Sequence, residues 1–182
     1  MPTIFSHPAV ALGLAPWFRR IPRTLLILGV VCSALPDVDV VSFALGIPYD
    51  HPLGHRGVTH SLLFAILLAT CVAVAYRRYS RDGVTFRAAF LFLLLVIASH
   101  GILDAMTTGG KGIGFFIPFS NQRFFLPFRP IQVSPIGASD FADEAGVVLS
   151  SEVRWVWLPW MCVWIVGSVL RALTKRTLAN HS

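Results

Sequence analysis

The sequence predicts an all-α, polytopic membrane protein: a bundle of four to five transmembrane helices with a long irregular outward-facing segment. Three observations lead there. Of 182 residues, 55% are hydrophobic and 13% charged, against about 25% charged in a typical soluble domain, and the mean hydropathy is +0.69. Several apolar runs approach the ~20 residues a helix needs to cross a hydrocarbon core. The basic residues, which give a formal charge of +6, gather at the ends of those runs. That placement fits membrane orientation and argues against a nucleic-acid partner.

The elements follow in order. "IFSHPAVALGLAPWF" at 4–18 is short, so it is either a thin fifth span or a helix lying in the interface. The stretch "MPTIFSHPAV" lacks the basic region of a cleavable signal. The clear spans are "TLLILGVVCSALPDVDVVSFALGI" at 24–47, "SLLFAILLATCVAVAY" at 61–76 and "FRAAFLFLLLVIASHGILDAM" at 86–106. Another, "VRWVWLPWMCVWIVGSVLRAL" at 153–173, carries tryptophans at its first end, as interfacial belts do. Residues 1–182 form one domain, with no internal repeat. Cys32, Cys71 and Cys162 stand singly in apolar segments and read as small buried hydrophobes.

Arg19, Arg20 and Arg23 precede the first long span, Arg77, Arg78, Arg81 and Arg87 fill the short link between the second and third, and Arg171, Lys175 and Arg176 follow the last span. Alternating crossings put all three clusters on one side, which the positive-inside rule makes cytoplasmic. The connections 48–59 and 107–152 then face outward. The second is too long for a passive turn, and its glycines, prolines and phenylalanines suit an irregular lid dipping into the headgroup layer. A re-entrant or short-strand segment with only a packing role is the alternative.

His7, Asp37, Asp39, His55, His60, His100 and Asp104 lie within the spans or at their outer edges, where ionisable groups are costly. Helical rise gives their depth. Asp37 is fourteen residues beyond Arg23, about 21 Å above the basic plane. His100 and Asp104 come to about 20 and 26 Å, His60 to about 25 Å, and His7 to about 18 Å if its segment crosses. Groups from four segments thus share one layer near the outer surface.

Histidine with aspartate and no cysteine suits zinc first, with manganese or iron as alternatives. His100 and Asp104 are four apart, on one helical face. Pro36 should stop or kink its helix and turn Asp37 and Asp39 inward. Thr59 is the expected N-cap of the following span. Seven donors exceed what one tetrahedral ion takes and would suit one or two divalent ions. Asp39 or Asp104 is the candidate proton acceptor, and Arg56, wedged between two proposed ligands, a candidate catalytic or anion-holding group. Lys111 and Arg123 are further candidates for binding an anionic substrate, with lipid headgroups the rival partner for Arg123 and Arg129. His51 and His181 are left out of the site.

The ordered motifs "SHPAVALGL", "LPDVD", "GHRGVTHSLL", "SHGILDAMTTGGKG" and "PFSNQRFFLP" resemble a bacterial inner-membrane metal-dependent hydrolase family of the LexA-regulated, membrane-bound type. The likeness covers nearly the whole chain and is weakest after about residue 135. It implies a compact helical membrane protein with a metal centre formed by His7, Asp37, Asp39, His55, His60, His100 and Asp104. The family is distantly similar to zinc-dependent phospholipase C proteins.

The expected function is therefore a metal-dependent hydrolase in the bacterial inner membrane, with its site facing the periplasm. Its substrate would be an amphiphilic, lipid-linked or phosphate-containing ester, entering among membrane lipids. A divalent-metal transporter or sensor is one alternative. A non-catalytic membrane protein with a structural metal site is another.

Overall fold

A computed structural model describes residues 1–180; His181 lies outside the described residues. The regular structure among the described residues is helical, with two isolated β-bridges, Thr107 to Ile131 and Ile113 to Phe124, and no strand. The helices are α1 (Pro8–Leu14), α2 (Arg23–Ala34), α3 (Val41–Ala44), α4 (Leu62–Tyr79), α5 (Phe86–Ala105), α6 (Ala138–Glu152) and α7 (Leu158–Asn180). Among the described residues, four stretches are long and apolar enough to cross a membrane: Arg23–Ala44, Leu62–Tyr79, Phe86–Ala105 and Ser139–Thr177.

α5 is the central rod. It packs against α4, α2 and α1, and Phe92, Leu93 and Val96 are fully buried along it. Ala65, Ala69 and Ala73 recur every four residues on α4 and are buried. Such small side chains let two membrane helices approach closely where no hydrophobic effect drives them together. The opposite face of α4 exposes Ile66, Leu67 and Val74, and α7 exposes Ile165, Val169 and Leu173, as suits surfaces that meet acyl chains. Cys32 is buried, but Cys71 and Cys162 are exposed. They therefore differ from the expected buried hydrophobes because, in a bilayer, the outer helix face is also apolar.

The 4–18 segment does not lie apart from the bundle. Ala9, Val10 and Ala11 are buried, and α1 packs on α7, α2 and α5. Trp17 donates its indole N–H to the Val163 carbonyl, and Arg171 donates to the carbonyl of Arg19 at 2.7 Å. The latter bond joins two of the basic clusters, and a cleft lined by Arg19, Arg20, Gly83, Val84 and Thr85 joins the third. All three sit at one end of the bundle.

Two boundaries depart from expectation. The last span is part of a rod that begins at Ala138 and passes through a π-helical turn at Val153–Trp157 into α7. The irregular lid thus ends near 137 rather than 152. Asp140 in the first turn of α6 suits the positive end of the helix dipole. The N-cap of α4 is Ser61, whose Oγ accepts from Phe64 N at 3.1 Å. Thr59 falls instead in a separate 3-10 turn over Val58–His60.

Candidate metal centre

At the end opposite the basic clusters, chain stops and starts deliver polar side chains inward. Pro36 enters a tight 3-10 turn, Leu35–Val40, that ends α2 and carries Asp37 and Asp39. His60 closes the turn ahead of α4. His100 and Asp104 lie one turn apart near the end of α5. Asp37, His60, His100 and Asp104 are all buried, and one donor atom from each lies within 4.8 Å of all the others.

His60 Nε2 and His100 Nε2 stand 3.1 Å apart. Asp37 Oδ1 is 3.2 Å from His100 Nε2 and 3.7 Å from His60 Nε2. Asp104 Oδ2 is 3.3 Å from His60 Nε2 and 3.9 Å from His100 Nε2. Donors bound at 2.0–2.1 Å around a tetrahedral ion stand about 3.3 Å from each other. The four atoms therefore outline a cation-sized space, and both oxygens of Asp37 and of Asp104 lack any hydrogen-bond partner. Leaving buried carboxylates so is costly unless a cation serves them. The residues fit a divalent ion.

The far nitrogens settle which lone pairs face that space. His100 Nδ1 lies 2.7 Å from the Ser33 carbonyl oxygen, which can only accept, so Nδ1 carries the proton and Nε2 the lone pair. His60 Nδ1 lies 3.1 Å from Asp39 Oδ2, the carboxylate–histidine arrangement that orients metal ligands. Burial works to lower the His60 pKa, but the close carboxylates of Asp104, Asp37 and Asp39 outweigh it and raise the pKa well above 6.5.

Asp39 and His55, expected as ligands, stand one layer out. Asp39 accepts from Arg56 N at 3.0 Å and Thr59 Oγ1 at 2.5 Å, and His55 Nδ1 lies 2.6 Å from its Oδ1. With the His60 contact, both oxygens are occupied. Two positions apart on a turn of about three residues per revolution, Asp37 and Asp39 face different ways.

Arg56 is likewise not free to hold an anion. It is buried, with Nε 3.3 Å from Asp104 Oδ2 as an ion pair, and its other nitrogens donate hydrogen bonds to the Gly109 carbonyl and Thr107 Oγ1. Its φ of 60° is left-handed, an unfavourable state for a residue with a Cβ. Tight surroundings enforce it: a Cβ on Gly57 would meet the Pro52 carbonyl oxygen at 2.1 Å, and one on Gly110 would meet Arg56 Nη1 at 2.3 Å. Arg123 spreads its guanidinium over the carbonyls of Tyr49, His51, His55, Arg56 and Gly112, binding the 48–57 loop to the lid. Lys111 pairs with Asp50 at the surface, 2.7 Å away.

His7 is buried with neither ring nitrogen hydrogen-bonded, and its ring stacks on His100 at 3.7 Å. Glu152 holds the segment ahead of it, accepting from Thr3 N, Thr3 Oγ1 and Ser6 Oγ. Sequence reading missed Glu152 and Ser33. A lone carboxylate directly before a tryptophan-rich span was the available signal for Glu152; a main-chain carbonyl gives none.

Fold and site together define a polytopic helical membrane protein with a buried His/Asp group able to hold a metal ion. The chain belongs to the YdjM inner membrane protein family, whose model matches residues 1–177. It is 43% identical, over 164 residues, to the inner membrane protein YbcI of Escherichia coli (strain K12), covering 88% of this chain and 94% of that protein. No solved structure matches it.

Proposed function

We propose that the chain is a metal-dependent hydrolase of the inner membrane, with its centre toward the periplasm, acting on a lipid-linked or phosphate-containing ester. The observation that carries this is the pair of fixed imidazoles: His60 and His100, each held by its far nitrogen, both turn Nε2 toward the unpartnered Asp37 and Asp104 carboxylates. A divalent ion held there supplies Lewis acidity toward a phosphoryl or carbonyl oxygen and acidifies water. Asp39 orients His60, Arg56 balances Asp104, and the lid with the 48–57 loop keeps the centre from bulk water. The basic clusters at the other end support the periplasmic orientation. Exposed Phe116, Phe119 and Phe128 on the lid favour an amphiphilic substrate.

A structural metal site is the second reading, favoured because four protein donors fill a tetrahedral shell, as in closed structural sites. Purified protein in lipid nanodiscs, analysed for metal and screened against a lipid extract, separates the two. The hydrolase reading expects bound zinc, manganese or iron, turnover of an ester, and loss of both in His60→Ala that still inserts. Bound metal with no turnover of any extract component supports the structural reading, and full turnover after chelation refutes the hydrolase.

A further inference from the structure

The two carboxylates each have a second oxygen that the four-residue centre does not use. Asp37 turns Oδ1 to His60 and His100, while its Oδ2 lies 3.8 Å from His7 Nε2. Asp104 turns Oδ2 to His60 and Arg56, while its Oδ1 lies 3.9 Å from the same His7 nitrogen. These gaps exceed a hydrogen bond, and none of the three atoms has a partner. His7 is 1% exposed, so water from outside does not serve it. Three buried orphan donors from three segments therefore face one another beside the first centre. The His7 and His100 rings lie nearly parallel, 14° apart in plane and 3.7 Å between centroids, and each presents Nε2 to a different oxygen of Asp37. Ions served by such paired rings would stand about as far apart as the rings, within the ~3.5–4 Å of two-metal hydrolytic sites.

We infer that His7 Nε2, Asp37 Oδ2 and Asp104 Oδ1 form a second divalent-cation site, with the two aspartates bridging it to the first. The inference rests on the first centre being a metal site. It adds what that centre lacks. Four protein donors would admit water or substrate to the first ion only by expansion to a fifth ligand, whereas three leave the second with open positions for water or a substrate oxygen, as catalytic sites have.

Manganese is the probe, with full-length protein in nanodiscs stripped by chelator and reloaded with Mn2+. Wild-type protein should take up two ions per chain and give an exchange-coupled paramagnetic resonance spectrum. His7→Ala and His7→Gln should each keep one ion with the spectrum of an isolated Mn2+, and that retained ion shows the bundle has folded. Saturation of wild type at one ion, two ions in either His7 variant, or loss of both ions from both variants would overturn the second site. Undiminished uptake by His60→Ala would instead overturn the first centre.

Discussion

The Ser33 carbonyl accepts a hydrogen bond from His100 Nδ1 at 2.7 Å across a sequence separation of 67 residues. A main-chain group cannot be mutated away, so the fixed tautomer of His100 is a property of how α2 packs on α5. The matching contact on His60 is a side chain, Asp39, and can be tested directly.

Asp39→Asn should weaken metal binding by about 10–100-fold, the usual effect of removing an outer partner of a metal-bound histidine. The protein should still insert and fold. Competition with a chelator of known affinity measures the change, and an unchanged affinity would show that Asp39 does not orient the centre.

Glu152→Ala should destabilise the bundle by about 3 kcal/mol, because it strips a buried acceptor from Thr3 and Ser6. Glu152→Gln, which keeps the shape and one oxygen, should cost less. Reversible unfolding in mixed micelles gives both values, and equal stability of all three proteins would rule out the clamp.

Ala69→Leu should cost about 1–3 kcal/mol by forcing a larger side chain between α4 and α5. Leu67→Ala, on the exposed face of the same helix, should change little. The same unfolding assay separates them; an equal effect would mean the α4 alanine stripe is not the interface.

The contribution of His60 to the stability of metal-free protein should be larger at acidic than at alkaline pH. The folded His60 pKa is raised above its ordinary 6.5 by Asp104, Asp37 and Asp39 against the opposing effect of burial. Its stabilising contribution is thus complete below about pH 6.5 and fades as pH rises through the higher folded value. Metal affinity should run the other way, since an ion must displace that proton. Melting of chelated protein across this range checks the sign, and the slope should shrink in His60→Gln.

The meeting of Asp37, His60, His100 and Asp104 was legible because helical rise is a fixed ruler and the basic residues mark its zero. Counting along several helices returned similar depths, and those side chains do converge. The division of labour was not legible. Asp37 and Asp39 are separated by one residue, and only the local 3-10 geometry turns one into the cation-sized space and the other toward His55 and Thr59. Arg56 resembled an anion-holding group because nothing in its neighbours reveals the left-handed backbone that folds it under the lid. The early start of the last helix was hidden by its polar residues, which suit a helix standing clear of the bilayer as well as they suit a loop.

The grip of Glu152 on Thr3 and Ser6 spans up to 149 positions. During synthesis, Thr3 and Ser6 therefore meet their acceptor only when the final rod has been laid against the bundle. The first residues of the chain and the last rod thus close on each other last, and the segment that leads into His7 is clasped by the two ends of the molecule.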